Sequence, residues 1–270
     1  MEKASSLPQC AFGVEWNLMI PVAIIVPARL ASTRFPRKLL HPIKGVPLLA
    51  HVARRLKREA ADWPVWFAVD DPSLEAVARE EGFPVVMTNP AHQSGTDRLA
   101  EANQTVQAEV VLNIQADEPL VSGEQIQKLH QILTDAHAMS TLVTPFRRAT
   151  DFADPNQVKC VRGVTGDALY FSRSPIPAVR DGVPPEGDSF WQDSPPLRHL
   201  GLYGYRAEFL EAFTRLAPGR LERLEKLEQL RALENGYRIA VAETADPTVG
   251  IDTPGDAEAF ARYLEEGGVK

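Results

Sequence analysis

The chain has 270 residues, 44% of them apolar and 24% charged, a globular composition with room for one or two domains and a substantial core. Its 29 lysines and arginines stand against 36 acids, a net charge of −7. That balance argues against a general binder of nucleic acid or of anionic membranes, both of which need a basic face. Two cysteines, Cys10 and Cys160, exclude a disulfide scaffold and a cysteine-built zinc site, and they point to a reducing compartment.

Residues 1–20 show no consistent period and read as a leader. The longest apolar stretch, Leu18 to Ala28, is about half the roughly 20 residues a bilayer core requires, so no membrane insertion is expected. Gln9, Glu15, Asn17 and the prolines Pro21 and Pro27 argue against a cleaved signal, and residues 22–26 read instead as a buried first strand. Apolar residues at Leu48, Leu49, Val52, Ala53 and Leu56 predict a helix over 47–60. A strand over 65–69 follows, then a helix to about Glu81 with Asp71 as its cap and Pro72 in its first position. The unit repeats as a strand over 84–87 and a helix over 95–107. A buried strand over 110–114 precedes a capping box, Ser122 with Gln125, that opens a helix to about Ala136. Another strand is predicted over 139–143. Strands alternating with helices imply parallel pairing through right-handed crossovers, so the first 145 residues read as one open α/β sheet.

Beyond Pro145 the rhythm changes. Residues 158–161 and 168–171 flank Gly163–Asp167 as a hairpin, and 181–196 form a loop rich in proline, glycine and aspartate. A strand over 200–205 is followed by helices over 208–216 and 221–235, the second stopped by Gly236. A strand over 238–242 and a helix opened by Thr253, Pro254 and Asp256 complete the series. The organisation expected is a leader at 1–20, an α/β region over 21–150, an antiparallel insertion over 151–206, and C-terminal elements over 207–270 that complete the α/β body.

Ligands of open α/β sheets bind beyond the carboxyl ends of the strands. The loop after the first strand carries Arg29, Arg34, Arg37 and Lys38, four cations in ten residues, with no glycine before Gly45. Neither the dinucleotide G-x-G-x-x-G nor the P-loop pattern is present, which disfavours a hydride-transferring dinucleotide enzyme. This loop would hold phosphate through side-chain charge, arginine as a planar fork and lysine as a point charge. Taken alone it reads first as a solvated basic loop. The strand over 110–114, however, runs into Gln115-Ala116-Asp117-Glu118-Pro119, and a second acid, Asp252, stands in Gly250-Ile251-Asp252-Thr253-Pro254. An acid just past a buried strand suits Mg2+, which takes one or two carboxylates with substrate phosphate oxygens, although each acid alone is also an ordinary turn or cap residue. Together the cations and acids describe a site for a magnesium nucleoside triphosphate, with the cations neutralising a departing pyrophosphate. No Ser-His-Asp or Cys-His pair is recognisable, so no covalent enzyme intermediate is required.

Seven collinear segments carry a resemblance. They are Ala28-Arg29 with Ser32-Thr33-Arg34, Pro36 and Lys38; His92-Gln93-Ser94-Gly95-Thr96-Asp97-Arg98; Gln115 with Asp117-Glu118-Pro119; Ala168-Leu169-Tyr170-Phe171-Ser172-Arg173; Arg198-His199-Leu200-Gly201-Leu202-Tyr203; Leu227-Glu228-Gln229-Leu230-Arg231; and Asp252-Thr253-Pro254. In this order, over roughly residues 22–265, the chain resembles the 3-deoxy-manno-octulosonate (Kdo) cytidylyltransferases. The resemblance implies an α/β fold: an open, mostly parallel Rossmann-like nucleotide-binding sheet flanked by helices, with a small antiparallel insertion.

It also implies a reaction, CTP + Kdo → CMP-Kdo + pyrophosphate, serving lipopolysaccharide synthesis in a cytoplasmic, Mg2+-dependent homodimer with an interface around 158–205. Arg29, Arg34 and Lys38 would bind the triphosphate and, with Asp117 and Asp252 as the metal ligands, carry catalysis. Ala28 and Ser32 would line the base and ribose, and Ser94, Gly95 and Arg98 a second nucleotide loop. Gln115, Arg173, His199, Tyr203, Glu228 and Gln229 would form the sugar pocket, with Arg173 pairing with the sugar carboxylate. Without the resemblance, His199 reads as a structural histidine, and Glu228 and Gln229 as an exposed helix face. A sialic-type acid or 8-amino-Kdo as substrate, or a catalytically silent nucleotide-binding paralogue, remain the alternatives. The family usually has glycine where this chain has Ala116 and Arg37, and a Cβ at 116 would demand a negative φ where glycine permits a positive one.

Overall fold

A computed structural model describes residues 20–92, 94–245 and 250–267. Cys10, the leader up to residue 19 and Gln93 lie outside the described residues. The chain enters as β1 (Ile20–Ala28), whose residues 23–28 are all buried, as a central parallel strand covered on both faces must be. A 3-10 turn at Lys38–Leu40 and a small hairpin, β2 (Pro42–Ile43) with β3 (Val46–Pro47), lead into α1 (Leu48–Glu59). These short pieces carry no apolar period and were not foreshadowed by one. Next come β4 (Val65–Val69), α2 (Pro72–Glu80), β5 (Val85–Met87), α3 (Gly95–Val106) and β6 (Ala108–Asn113). The caps match their sequence signals: Asp71 Oδ1 accepts from the Ser73 N–H at 2.8 Å, ahead of Pro72 in the first turn. The strands order as β6-β1-β4-β5, all parallel.

The second half departs from the expected order. α4 (Gly123–Gln131) opens on the Ser122/Gln125 capping box but stops at Gln131 rather than near Ala136. There the Leu133 N–H bonds to the His130 carbonyl, and Thr134 Oγ1 meets His137 Nδ1 at 2.8 Å, turning the chain into β7 (Met139–Pro145). β7 does not lie beside β6. After α5 (Ala149–Ala153), β8 (Lys159–Arg162), β9 (Ala168–Ser172) and α6 (Phe190–Asp193), the chain returns as β10 (Leu197–Arg206), which inserts between β6 and β7 antiparallel to both. The stretch expected as an insertion therefore runs through the middle of the sheet, and only the β8–β9 hairpin stands to one side, joined through β10.

α7 (Ala207–Arg215) follows β10. The single helix expected over 221–235 is two, α8 (Arg220–Glu225) and α9 (Gln229–Glu234), broken where Lys226 adopts φ 54°. The Lys226 N–H closes α8 on the Glu222 carbonyl at 2.7 Å. The charges that read as a solvated face instead join the two short helices: Arg231 forks onto Glu222 at 2.6 and 2.8 Å, and Glu234 accepts from the Leu221 and Glu222 N–H groups. β11 (Ile239–Glu243) pairs parallel with β7, and α10 (Pro254–Glu265) ends the described chain. No described helix is long and apolar enough to cross a membrane.

One core packs α1, α2, α4 and α10 against one face of the sheet, around Leu49, Val52, Leu74, Ile126 and Phe260. The other packs α3, α7 and α9 against the opposite face, around Leu99, Val106, Phe209, Phe213 and Leu230. β10 sits tightly between its neighbours at Gly204, where a Cβ would collide with Ser140 Oγ and stand 3.2 Å from Leu112 Cδ2. Gly204→Ala is therefore expected to cost about 1–3 kcal/mol, the usual range for overpacking a dense interior. Urea unfolding checks this: the midpoint falls with the slope unchanged, whereas an unaltered midpoint would show β10 to be loosely held.

Candidate active site at the carboxyl edge of the sheet

The loop leaving β1 is pinned at both ends. The Leu30 N–H donates to Asp70 Oδ1 beyond β4 at 2.9 Å, and Phe35 and Leu39 are buried beneath the loop. Between these anchors Arg37 adopts φ 54°, the left-handed region, which costs a non-glycine residue about 1–2 kcal/mol. This is where the positive φ falls. Ala116, buried at the end of β6, is not among the positive-φ residues described, so the conflict expected there does not arise. The turn at Arg37 starts the 3-10 segment on Lys38.

Lys38 Nζ donates to Asp117 Oδ2 and, at 2.8 Å, to Asp252 Oδ1, while Arg34 Nη2 donates to Asp252 Oδ2 at 2.9 Å. The two acid-bearing segments are also joined by backbone, the Ile251 N–H reaching the Asp117 carbonyl at 2.9 Å. Asp256 accepts from the Asp252 and Thr253 N–H groups as part of the α10 capping box, which fixes Asp252 at the helix entrance. Burial works to lower the Lys38 pKa, but Asp117 and Asp252 outweigh it and hold the ammonium charged beyond its ordinary range. Burial likewise opposes ionisation of Asp252, and Lys38 with Arg34 overcomes it, leaving this carboxyl below the usual aspartate value.

These groups form one wall of a cavity of about 390 Å3, lined also by Arg29, Ser32, Ser94, Gly95, Arg98 and Gln115. Ser94 caps α3, so Ser94 and Gly95 present the positive end of a 12-residue helix to the cavity, an arrangement that attracts phosphate. Arg98 is a floor more than a hook: its guanidinium is bound to Thr88 Oγ1 and, at 3.1 Å, to Asp70 Oδ2. Ala28 does not reach the cavity. It is buried in the core, and its neighbours Pro27 and Arg29 line the wall, with Thr33 and His92, motif residues to which no role was assigned.

A second cavity of about 640 Å3 adjoins the first and shares Arg34 and Asp252 with it. Three of the residues that the resemblance assigns to a sugar pocket, His199, Tyr203 and Gln229, line it together with Glu118, Gln157 and Arg198. His199 Nε2 lies 3.0 Å from Thr141 Oγ1, and its ring packs against Phe171 and Tyr203. Burial, and then the neighbouring Arg198, depress its pKa to about 3, so the imidazole is neutral at physiological pH. Gln229 is buried, and its Nε2 is a donor with no partner among the described residues. Such a group costs free energy until a ligand oxygen meets it.

Two expected sugar-site residues line neither cavity. Glu228 accepts from Thr96 Oγ1 at 2.7 Å and faces Arg231, joining α9 to α3; burial raises its pKa against the Thr96 bond. Arg173 donates from Nε to the Glu225 carbonyl at 2.7 Å, from Nη1 to Pro155 at 3.1 Å and from Nη2 to Lys226 at 3.4 Å, bracing the end of α8.

A mostly parallel sheet whose carboxyl edge gathers cations, a helix N-terminus and two acids beside a second polar cavity has the make-up of a nucleotidyltransferase site. A cytidylyltransferase family model matches residues 23–239. The chain is 48% identical over 246 residues to the 3-deoxy-manno-octulosonate cytidylyltransferase of Xanthomonas oryzae pv. oryzae, covering 88% of this chain and 95% of that one. It is 44% identical to the protein of the same name from Geobacter metallireducens, covering 90% and 97%. Among solved structures it is similar to CMP:2-keto-3-deoxy-manno-octonic acid synthetase complexed with CTP, with a TM-score of 0.82, 36% identity, and 91% and 99% coverage. The chain belongs to the 3-deoxy-manno-octulosonate cytidylyltransferase family.

Proposed function

We propose that the chain transfers the cytidylyl group of CTP to 3-deoxy-D-manno-octulosonate, releasing pyrophosphate and forming the activated sugar used for lipopolysaccharide. The observation that carries this reading is the contact between the two cavities at Arg34 and Asp252. A triphosphate gripped in the first and a sugar acid held in the second would meet at that border. The anomeric hydroxyl would attack the α-phosphorus in line, and holding both partners there turns a bimolecular encounter into a local one. Arg29, Arg34 and Lys38 would bind the phosphates and stabilise negative charge on the leaving pyrophosphate. Neutral His199 would orient sugar hydroxyls by hydrogen bonding rather than by charge, and the buried Gln229 Nε2 would find its missing acceptor in a hydroxyl oxygen.

Asp117 and Asp252 fit a Mg2+ ion. They form an all-oxygen pair held on one ammonium, that of Lys38. Two carboxylates with water and phosphate oxygens are what this ion accepts. When bound it would neutralise phosphate charge and fix the geometry of the triphosphate. The same reading makes the protein a cytoplasmic homodimer, and the exposed Val164 and Leu169 of the β8–β9 hairpin suit the expected interface. Pyrophosphate release with CTP and Kdo, set beside a sialic-type acid and 8-amino-Kdo, tests the function. Release fastest with Kdo is the expected result; CTP binding without release for any sugar acid would leave the silent-paralogue reading standing instead.

A further inference from the structure

Two separate segments of chain wall the first cavity, and one carboxylate is bonded to both. The first is the loop leaving β1, with Arg29, Ser32, Arg34 and Lys38; the second is the start of α3, with Ser94, Gly95 and Arg98. Asp70, the residue just past β4, bridges them. Its Oδ1 accepts the Leu30 N–H of the loop at 2.9 Å, and its Oδ2 accepts from Arg98 Nη2 of α3 at 3.1 Å. Asp70 does not itself line that cavity. Resting on the functional reading above, we propose that Asp70 is a positioning residue for CTP: it sets the spacing between the cation loop and the α3 N-terminus so that both meet one triphosphate.

The bridge is anchored where little can move it. β4 is paired in parallel with β1 on one side and β5 on the other, so Asp70 leaves the sheet from a fixed point. The Arg98 side chain is 3% exposed and that of Asp70 9%, so solvent ions screen the pair little. Burial pulls the Arg98 pKa down, and Asp70 leads the charges that oppose it. Arg98 Nη1 donates to Thr88 Oγ1, and that hydroxyl donates to the Val69 carbonyl at 2.9 Å, which ties the guanidinium to the end of β4 as well. A carboxylate offers two acceptor oxygens, and here each serves a different segment; an amide offers one. A shift of about 1 Å in a positioning group can cost about 100-fold in rate.

The test is calorimetric titration with CTP in the presence of Mg2+, beside steady-state pyrophosphate release with Kdo. Asp70→Asn leaves one oxygen for two donors, and it is expected to weaken CTP binding roughly tenfold or more while KM for Kdo stays unchanged. Asp70→Glu restores both acceptors one methylene further out and should recover part of the loss. Should Asp70→Asn fail to fold, Arg98→Met and the double variant Asp70→Ala/Arg98→Met decide, because both remove the buried cation. Adding Asp70→Ala should then weaken CTP further, through the lost Leu30 anchor. Unchanged CTP affinity in Asp70→Asn or, failing that variant, no further loss in the double variant would overturn the assignment. An equal rise in KM for Kdo would overturn it too, since a general loosening of the fold moves both substrates alike. Wild-type protein that binds CTP but releases no pyrophosphate would defeat the catalytic reading alone, and the titration would still decide on Asp70.

Discussion

Asp117→Asn is expected to lower kcat by about three orders of magnitude, roughly 4 kcal/mol of transition-state stabilisation, while leaving the melting temperature near that of the wild type. The side chain is a partly exposed acid just past the buried β6 strand, and its described partner is Lys38. The backbone link that ties this segment to residue 251 uses the Asp117 carbonyl, which the substitution keeps. Asparagine also keeps the shape and one acceptor oxygen, so what is lost is the negative charge. Steady-state pyrophosphate release beside a thermal melt separates the two effects. Near-normal turnover would refute the role of this acid.

Lys38→Met should be the next most damaging change. It removes an ammonium bound to both acids and leaves Asp117 and Asp252 facing each other as like charges. The Asp252 pKa, held down by Lys38 and Arg34, would rise as one of these cations disappears. Loss of a preorganised cation at developing phosphate charge corresponds to about a 100- to 1,000-fold fall in rate. Because methionine retains most of the buried stem, packing around Leu39 should survive. A large fall in kcat with only a small fall in the urea midpoint, from the lost ion pairs, is the expected pattern; activity within twofold of the wild type would show that Lys38 only bridges the two acids.

Sequence alone conveys the first half of the fold well because each element there is local. Residues 23–28 are a continuous apolar run, α1 has its apolar stripe, and Asp71 and Ser122 announce their helices. The position of β10 is not legible in the same way. Nothing within residues 197–206 states that they pair with β6, some 90 residues earlier, rather than with the neighbouring hairpin; the small residue at Gly204 is the one local sign of a crowded strand. The break at Lys226 was hidden for a related reason, since the sequence keeps a helical composition while Arg231, Glu222 and Glu234 join two short helices by tertiary contacts.

The site divides along the same line. Lys38, Asp117 and Asp252 could be nominated separately as strand-end residues, but their convergence spans 214 residues of chain and only the folded sheet brings it about. The resemblance implies Arg173 and Glu228 in the sugar pocket; in the structure Arg173 binds the Glu225 carbonyl at the end of α8, and Glu228 accepts from Thr96 of α3. Arg198, beside His199 in the motif, is given no role by the sequence, because an arginine next to a histidine carries no signal until the cavity it borders is known.

The proposed grip of two acids and three cations on one triphosphate is tested most directly by calorimetric titration of CTP with and without Mg2+. The wild type and an Asp117→Ala/Asp252→Ala double variant are the proteins to compare. Mg2+ should tighten CTP binding by the wild type and leave the double variant indifferent to the ion. Equal enhancement by Mg2+ in both proteins would contradict the account.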